Sequence, residues 1–139
     1  MPNWCNNTVY IRISEEFKSR ISDLDLAKLG DAARENNLLR TIIPIPADIM
    51  HRDDYSWYEF CVDNWGNPWD IRCESANLTD GVLAIYFRTA WVPPIPVYRE
   101  LRKRGYDVEA YPDEVGIEGA WVNGFETFKE YEIEDDEVE

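Results

Sequence analysis

Residues 57–71 read WYEFCVDNWGNPWDI and hold three of the chain's six tryptophans, Trp57, Trp65 and Trp69, with Tyr58 and Phe60 beside them. In an acidic chain, indoles this close together must be buried as a group or form a surface that something else covers. Asn64, Gly66, Asn67 and Pro68 force a turn between the aromatics. The stretch is therefore expected to anchor the structure around it.

Working outward, 139 residues with 45% hydrophobic and 14% aromatic content suit a single folded domain that needs no disulfide or metal to hold its core. The domain is expected over residues 1–133, with an acidic, frayed tail at 134–139. No apolar run approaches the ~18 residues of a membrane span, and the start MPNWCNN does not read as a signal peptide. Cys5, Cys61 and Cys73 are an odd number at wide spacing, which reads as reduced thiols in a cytoplasm.

The net charge of −14 is segregated: residues 106–139 hold thirteen acids against Lys129 alone, a balance of −12, which leaves −2 for the first 105 residues. Such a segment repels nucleic acid and anionic membranes and attracts a basic partner surface.

Along the chain, residues 6–13 alternate as a half-buried strand. Ser14 is placed to cap a helix carrying Phe17 and Ile21, and a second helical piece runs about 24–36. Pro44 and Pro46 make residues 38–50 an extended edge or buried loop. Asp53 or Asp54 is expected to cap a helix over 55–64. Two strands follow at 70–75 and 82–89, joined by a turn at 77–81. A helix at 97–104 is stopped by Gly105. Three strands are then expected at 107–111, 115–122 and 125–133, the last two joined by the hairpin pair Asn123-Gly124. With the long insertion set aside, this is the β-α-β-β-α-β order of a ferredoxin-like α+β fold: an antiparallel sheet with helices on one face and an extra C-terminal hairpin. The tryptophan-rich insertion is expected to cover part of the other face.

The opening MPNWCNN, the block DNWGNPWDI, then FRTAWVPPIPVYREL and YPDEVGIEGAW resemble the YubB ferredoxin-like family of small phage and plasmid proteins, over residues 1–121. NWG-x-x-WD together with TAW-x-PP-x-P is fairly specific. Where the family's block has a lysine, Pro68 stands here, which removes a positive charge. The resemblance implies a fold and a mobile-element origin, and brings no catalytic residues.

Candidate chemistry is sparse. His51, the only histidine, stands beside Asp53 and Asp54 but has no cysteine or second histidine at ligand spacing, so a solvated loop is the simpler reading. Cys61 and Cys73 lack a paired histidine or C-x-x-C spacing. Asp63 and Asp70 bracket NWGNPW and could form an acid–base pair, although turn hydrogen bonds account for both. No phosphate-binding loop is present. Tyr86, Phe87, Tyr111 and Trp121 could stack bases on the sheet, but the acidic last strands oppose RNA. Arg99, Arg102, Lys103 and Arg104 read as a solvated helix face.

The leading expectation is a non-enzymatic interaction protein of a phage or plasmid, without cofactor or metal. It would inhibit a host nucleic-acid-handling or defence protein that has a basic surface. The expected contact residues are a nucleic-acid-mimicking row, Glu118, Glu126, Glu130, Glu132 and Glu134, with Trp91 and Trp121 as anchors. The acids at 126–134 alternate, which on one strand would place them on one sheet face. The alternatives are a small ligand-binding or enzymatic module with a pocket near Trp65, Trp69, Asp70 and His51, or an RNA-binding sheet. Partner identity and oligomeric state are not written in the sequence.

Overall fold

The alternation read in the opening strand sets the layer structure. In the computed structural model, which describes residues 4–51, 53–113, 117–126 and 129–130, β1 (Cys5–Ile13) turns Asn7, Val9 and Ile11 inward and Asn6, Thr8, Tyr10 and Arg12 to the other face. β2 (Arg72–Thr79), β3 (Val82–Thr89) and β4 (Tyr106–Asp113) join it, followed by the two-residue strands β5 (Ile117–Glu118), β6 (Trp121–Val122), β7 (Phe125–Glu126) and β8 (Lys129–Glu130). One six-stranded sheet has the order β2-β3-β1-β4-β6-β7, and β5 pairs with β8 separately. Every pairing is antiparallel, which makes this a mixed α+β protein.

Register brings like with like. Val9 stands between Ile85 and Ala110, and Ile11 between Leu83 and Val108. All six are buried. Burying an aliphatic side chain of this size is worth about 1.5–3 kcal/mol, so this central stripe holds the sheet to its helices.

The helices lie on that apolar face. α1 (Asp23–Arg34) packs on β2 and β3 through Leu26, Leu29 and Ala33, and α4 (Ile95–Arg104) packs on β4. Val97, Tyr98 and Leu101 are the inward side of α4. α2 (Leu38–Ile42) and α3 (Trp57–Trp65) pack against α4. Two-residue hairpins close β2–β3 and β6–β7, with positive φ at Asp80 and Gly81 and at Asn123 and Gly124. That backbone matches the right-handed strand twist. Asn123 also ties its hairpin to β4, because its side chain accepts the Val108 amide at 2.7 Å and its own amide donates to the Val108 carbonyl at 2.9 Å.

Several expectations are corrected. Residues 38–42 form α2 rather than an extended edge, because Pro44 comes only after the helix has closed. α3 is capped by Ser56, whose hydroxyl accepts the Glu59 amide while Glu59 accepts the Ser56 amide, a capping box that displaces Asp53 and Asp54 from that role. After Ser14 comes only a three-residue 3-10 turn, and α1 begins at its own box between Ser22 and Asp25. The strand expected over 115–122 is broken at Gly119 (φ 121°), so that β5 and β6 enter different sheets. Of the strand expected over 125–133, residues 125–126 form β7 in the main sheet and residues 129–130 form β8 in the separate pair, while 127–128 and 131–133 lie outside those described.

The tryptophan block does not cover the far face of the sheet. Trp65 is fully buried on the helical side, where its indole N–H donates to the Ile43 carbonyl at 2.9 Å. The far face presents Tyr10, Tyr86 and Tyr111, with the Tyr10 and Tyr111 rings edge-on at 6.1 Å.

Candidate ligand pocket at the tryptophan block

Helical periodicity makes one wall of the pocket. Trp57, Cys61 and Trp65 follow one another at i, i+4 spacing along α3 and so share one face of it. Gly66 ends the helix in the left-handed conformation (φ 80°), against Pro96. The chain then turns through Asn67, fully buried, and Pro68, also buried, to bring Trp69 back over the same face. Opposite stand Ile45, Pro46 and Ile49 from the segment after α2, with Arg40 of α2 at the edge. The space between them is an open cleft of about 370 Å³. Small-molecule sites are typically about 300–1,000 Å³ and largely apolar. Trp57 and Trp69 remain 42% and 39% exposed, whereas Trp65 is fully buried.

Buried polar groups lock this geometry. Asn67 donates from its amide to the Val92 carbonyl at 2.8 Å and accepts from the Trp91 amide at 3.0 Å. The Thr89 hydroxyl donates to the same Val92 carbonyl at 2.8 Å, and itself accepts from the Asn7 amide at 3.0 Å. Three separate stretches of sequence therefore meet in one hydrogen-bonded chain: NWGNPW, TAWVPP and the NN of the opening.

Asp70 fixes the other side. Its carboxylate accepts from the backbone amides of Leu39 (2.9 Å), Arg40 (3.0 Å) and Ile71 (2.8 Å). It thus caps α2 from a distant part of the sequence, and the Arg40 guanidinium stands 3.5 Å from it. Burial raises the Asp70 carboxyl above the usual value, while the three amides and Arg40 pull it down. A second cavity of about 180 Å³ opens beside it, bounded by Asn36, Arg72, Trp69 and Arg40. Trp69 and Arg40 belong to both cavities.

The reactive groups near the pocket are quiet. Burial pushes the Cys61 thiol up to about 11, so it holds its proton at neutral pH. Asp63 is exposed and accepts from the Tyr55 hydroxyl, so it and Asp70 are engaged separately and make no acid–base pair. His51 is exposed in a short 3-10 turn and lines neither cavity. Among the described residues, no group of three or more histidine, cysteine or acidic side chains is placed to hold a metal ion. No helix among them is long and apolar enough to cross a membrane.

The residues expected to contact a partner stand on several elements. Trp121 is buried against Tyr98, with ring centroids 5.6 Å apart, and is a core residue rather than a surface anchor. Trp91 is 39% exposed beside Tyr58, 6.5 Å between rings. Glu126 stands in β7 of the main sheet, whereas Glu118 and Glu130 stand in the separate β5–β8 pair, where Glu118 is in register with Lys129. Glu132 and Glu134 lie outside the described residues. Of the aromatics expected for base stacking, Tyr86 and Tyr111 do face outward, but Phe87 and Trp121 are buried. Two cations on that face are matched by acids: Arg12 pairs with Glu109 at 3.3 Å and Arg88 with Glu74 at 3.6 Å.

Compared with protein-family models, with curated proteins and with solved structures, the chain finds no match in any of the three. The functional reading therefore stands on the geometry of the pocket.

Sequence reasoning named Trp65, Trp69 and Asp70 as a possible pocket but missed Arg40. Its only local signal is a basic residue in a segment rich in isoleucine and proline. What makes it part of the site is Asp70, 30 residues further on.

Proposed function

We propose that the protein is a small-ligand-binding module, non-enzymatic in itself, whose site is the cavity between α3 and the segment after α2. The observation that carries this reading is an open cleft of about 370 Å³ lined by three tryptophans, two of them partly exposed. Soluble proteins seldom leave large aromatics open unless something covers them. The protonated state of Cys61 favours binding over thiol chemistry.

The fold we propose beneath it is ferredoxin-like. Two crossovers, β1 to β2 through α1 and β3 to β4 through α4, each step over one strand in the order β2-β3-β1-β4, which is a split β-α-β arrangement. β6 and β7 extend the pattern at the β4 edge. The mobile-element family named on motif resemblance fits such a fold and adds no reaction.

The test is a thermal-shift and tryptophan-fluorescence screen with small, flat aromatic compounds. Compounds that occupy the cavity are expected to raise the Tm and perturb indole emission, and Trp57→Ala should weaken both responses. A screen without a single stabilising compound, or hits indifferent to Trp57→Ala, would overturn the reading.

A further inference from the structure

The two adjoining cavities differ in kind, and the difference specifies a ligand. The larger one is apolar, and among its described lining residues the one charged side chain is Arg40. The smaller one is mixed: Arg40, Arg72, Asn36 and Asp70 line it together with Trp69 and Ile71. Trp69 and Arg40 are shared, so a ligand body resting among the tryptophans reaches the smaller cavity by passing those two residues.

From this we infer that the site takes a small organic anion, with a flat apolar body in the tryptophan cavity and one carboxylate directed at Arg40. The inference rests on the pocket reading above and adds the chemical class of its ligand.

Three observations support the anionic end. First, Asp70 does not depend on the Arg40 side chain for its hydrogen bonds, because backbone amides already supply three. Second, the contact between them is loose: 3.5 Å exceeds the about 2.7–2.9 Å of a charge-assisted bond. The guanidinium has five N–H donors, and its side chain is 53% exposed. It can therefore turn a planar fork toward a second carboxylate without releasing Asp70. Third, Arg40 is the one charged side chain among the described residues that line the larger cavity, in a chain of net charge −14. At physiological ionic strength, charges beyond about 8 Å are largely screened, so this local charge decides what docks there. A cationic ligand would meet Arg40 head-on, and a neutral one would leave its donors unused.

The experiment is isothermal titration of the full chain with naphthoate, its neutral isostere naphthamide and the amine naphthylmethylamine. Naphthoate is expected to bind about tenfold tighter than naphthamide, the scale of one charge-assisted contact, and the amine weakest of all. Arg40→Gln should bring naphthoate down to the naphthamide level and leave naphthamide unchanged. Trp57→Ala should weaken naphthoate and naphthamide alike. Equal binding of naphthoate and naphthamide, or an Arg40→Gln protein that keeps its preference, would overturn the anion inference while leaving the pocket reading intact. Failure of every ring compound to bind the unaltered protein would overturn both. The Arg40 side chain is half exposed, so a thermal melt of Arg40→Gln should match the parent and separates lost recognition from lost folding.

Discussion

Asp70 accepts the backbone amide of Leu39 at 2.9 Å across 31 residues of sequence. The same carboxylate takes the next amide, Arg40, and then its own neighbour Ile71. Helix α2 is only five residues long, far below what holds a helix by itself in water. Its N-terminal amides need an acceptor, and Asn37, in the capping position, makes no side-chain bond to them. A buried acid on a different segment fills that need, and in doing so sets Arg40 at the mouth of the pocket.

Asp70→Ala should therefore destabilise the fold by at least about 2 kcal/mol, since each buried amide left unpaired costs about 1–3 kcal/mol. Asp70→Asn, which keeps one acceptor oxygen, should fall between that variant and the parent. Urea denaturation followed by tryptophan fluorescence measures both. A loss below about 0.5 kcal/mol for the alanine variant would mean that the packing of Leu38, Leu39 and Ile42 holds α2 without its cap.

The contact of Asn7 with Thr89 is the hinge of the buried chain that runs on to Asn67. In a double-mutant cycle, Asn7→Ala and Thr89→Val should show a coupling of about 0.5–3 kcal/mol, the range for neighbours in one network. The structure further predicts that either single change weakens the hold on the Val92 carbonyl and red-shifts or broadens emission from Trp91, whose amide is bonded to Asn67. Strictly additive losses would show that the two side chains act independently.

The parts of this fold that were legible in the sequence are those whose physics is local. Alternation at residues 6–13 and 82–89 gave strands in the right place, Gly105 stopped α4, and Asn123-Gly124 made its hairpin. The Ser56 cap was also legible, as Ser56-x-x-Glu59, but two nearby aspartates drew attention away from it. What could not be read is what depends on distant partners. Helix α2 is capped by Asp70 from 31 residues away, and the described parts of the expected strand at 115–122 pair with different strands, 117–118 with β8 and 121–122 with β4. Period two places Trp121 on one face of a strand without saying which, and Tyr98 decides it. The pocket was half visible: the tryptophans announced a cluster, while Arg40 entered only through the fold.

Two glycines with similar dihedrals should answer differently to the same substitution. Gly105 (φ 107°) lies where an added Cβ would come within 2.5 Å of the Phe17 ring, whereas Gly124 (φ 100°) has nothing within 4 Å. Gly124→Ala should cost about 1–2 kcal/mol, for backbone strain alone. Gly105→Ala adds overpacking to the same strain, about 1–3 kcal/mol more. Paired chemical melts test the difference. Equal losses would show that the segment carrying Phe17 and Ile21 moves aside freely.

The last prediction concerns alkaline pH and the thiol on the pocket wall. Cys61 titrates near 11 in the folded protein, from an ordinary value of 9.0, because burial disfavours its thiolate. Below pH 9 both folded and unfolded chains keep the proton, so Cys61 contributes no pH dependence. Between about 9 and 11 the unfolded chain releases its proton first, so stability must fall as pH rises through that window. The buried Tyr98 hydroxyl, also raised well above its usual value by burial, adds a fall of its own at higher pH. The informative quantity is thus the difference between the parent and Cys61→Ala. Urea midpoints measured from neutral pH to pH 11 should decline less steeply in the variant, with the two curves parallel below pH 9. A ligand seated against Cys61 should deepen the burial and extend the parent's decline to higher pH, while the onset, set by the unfolded chain, stays where it is. Parallel curves over the whole range would mean that the thiol meets water at the pocket wall, and the cavity would then be more open than its three tryptophans make it.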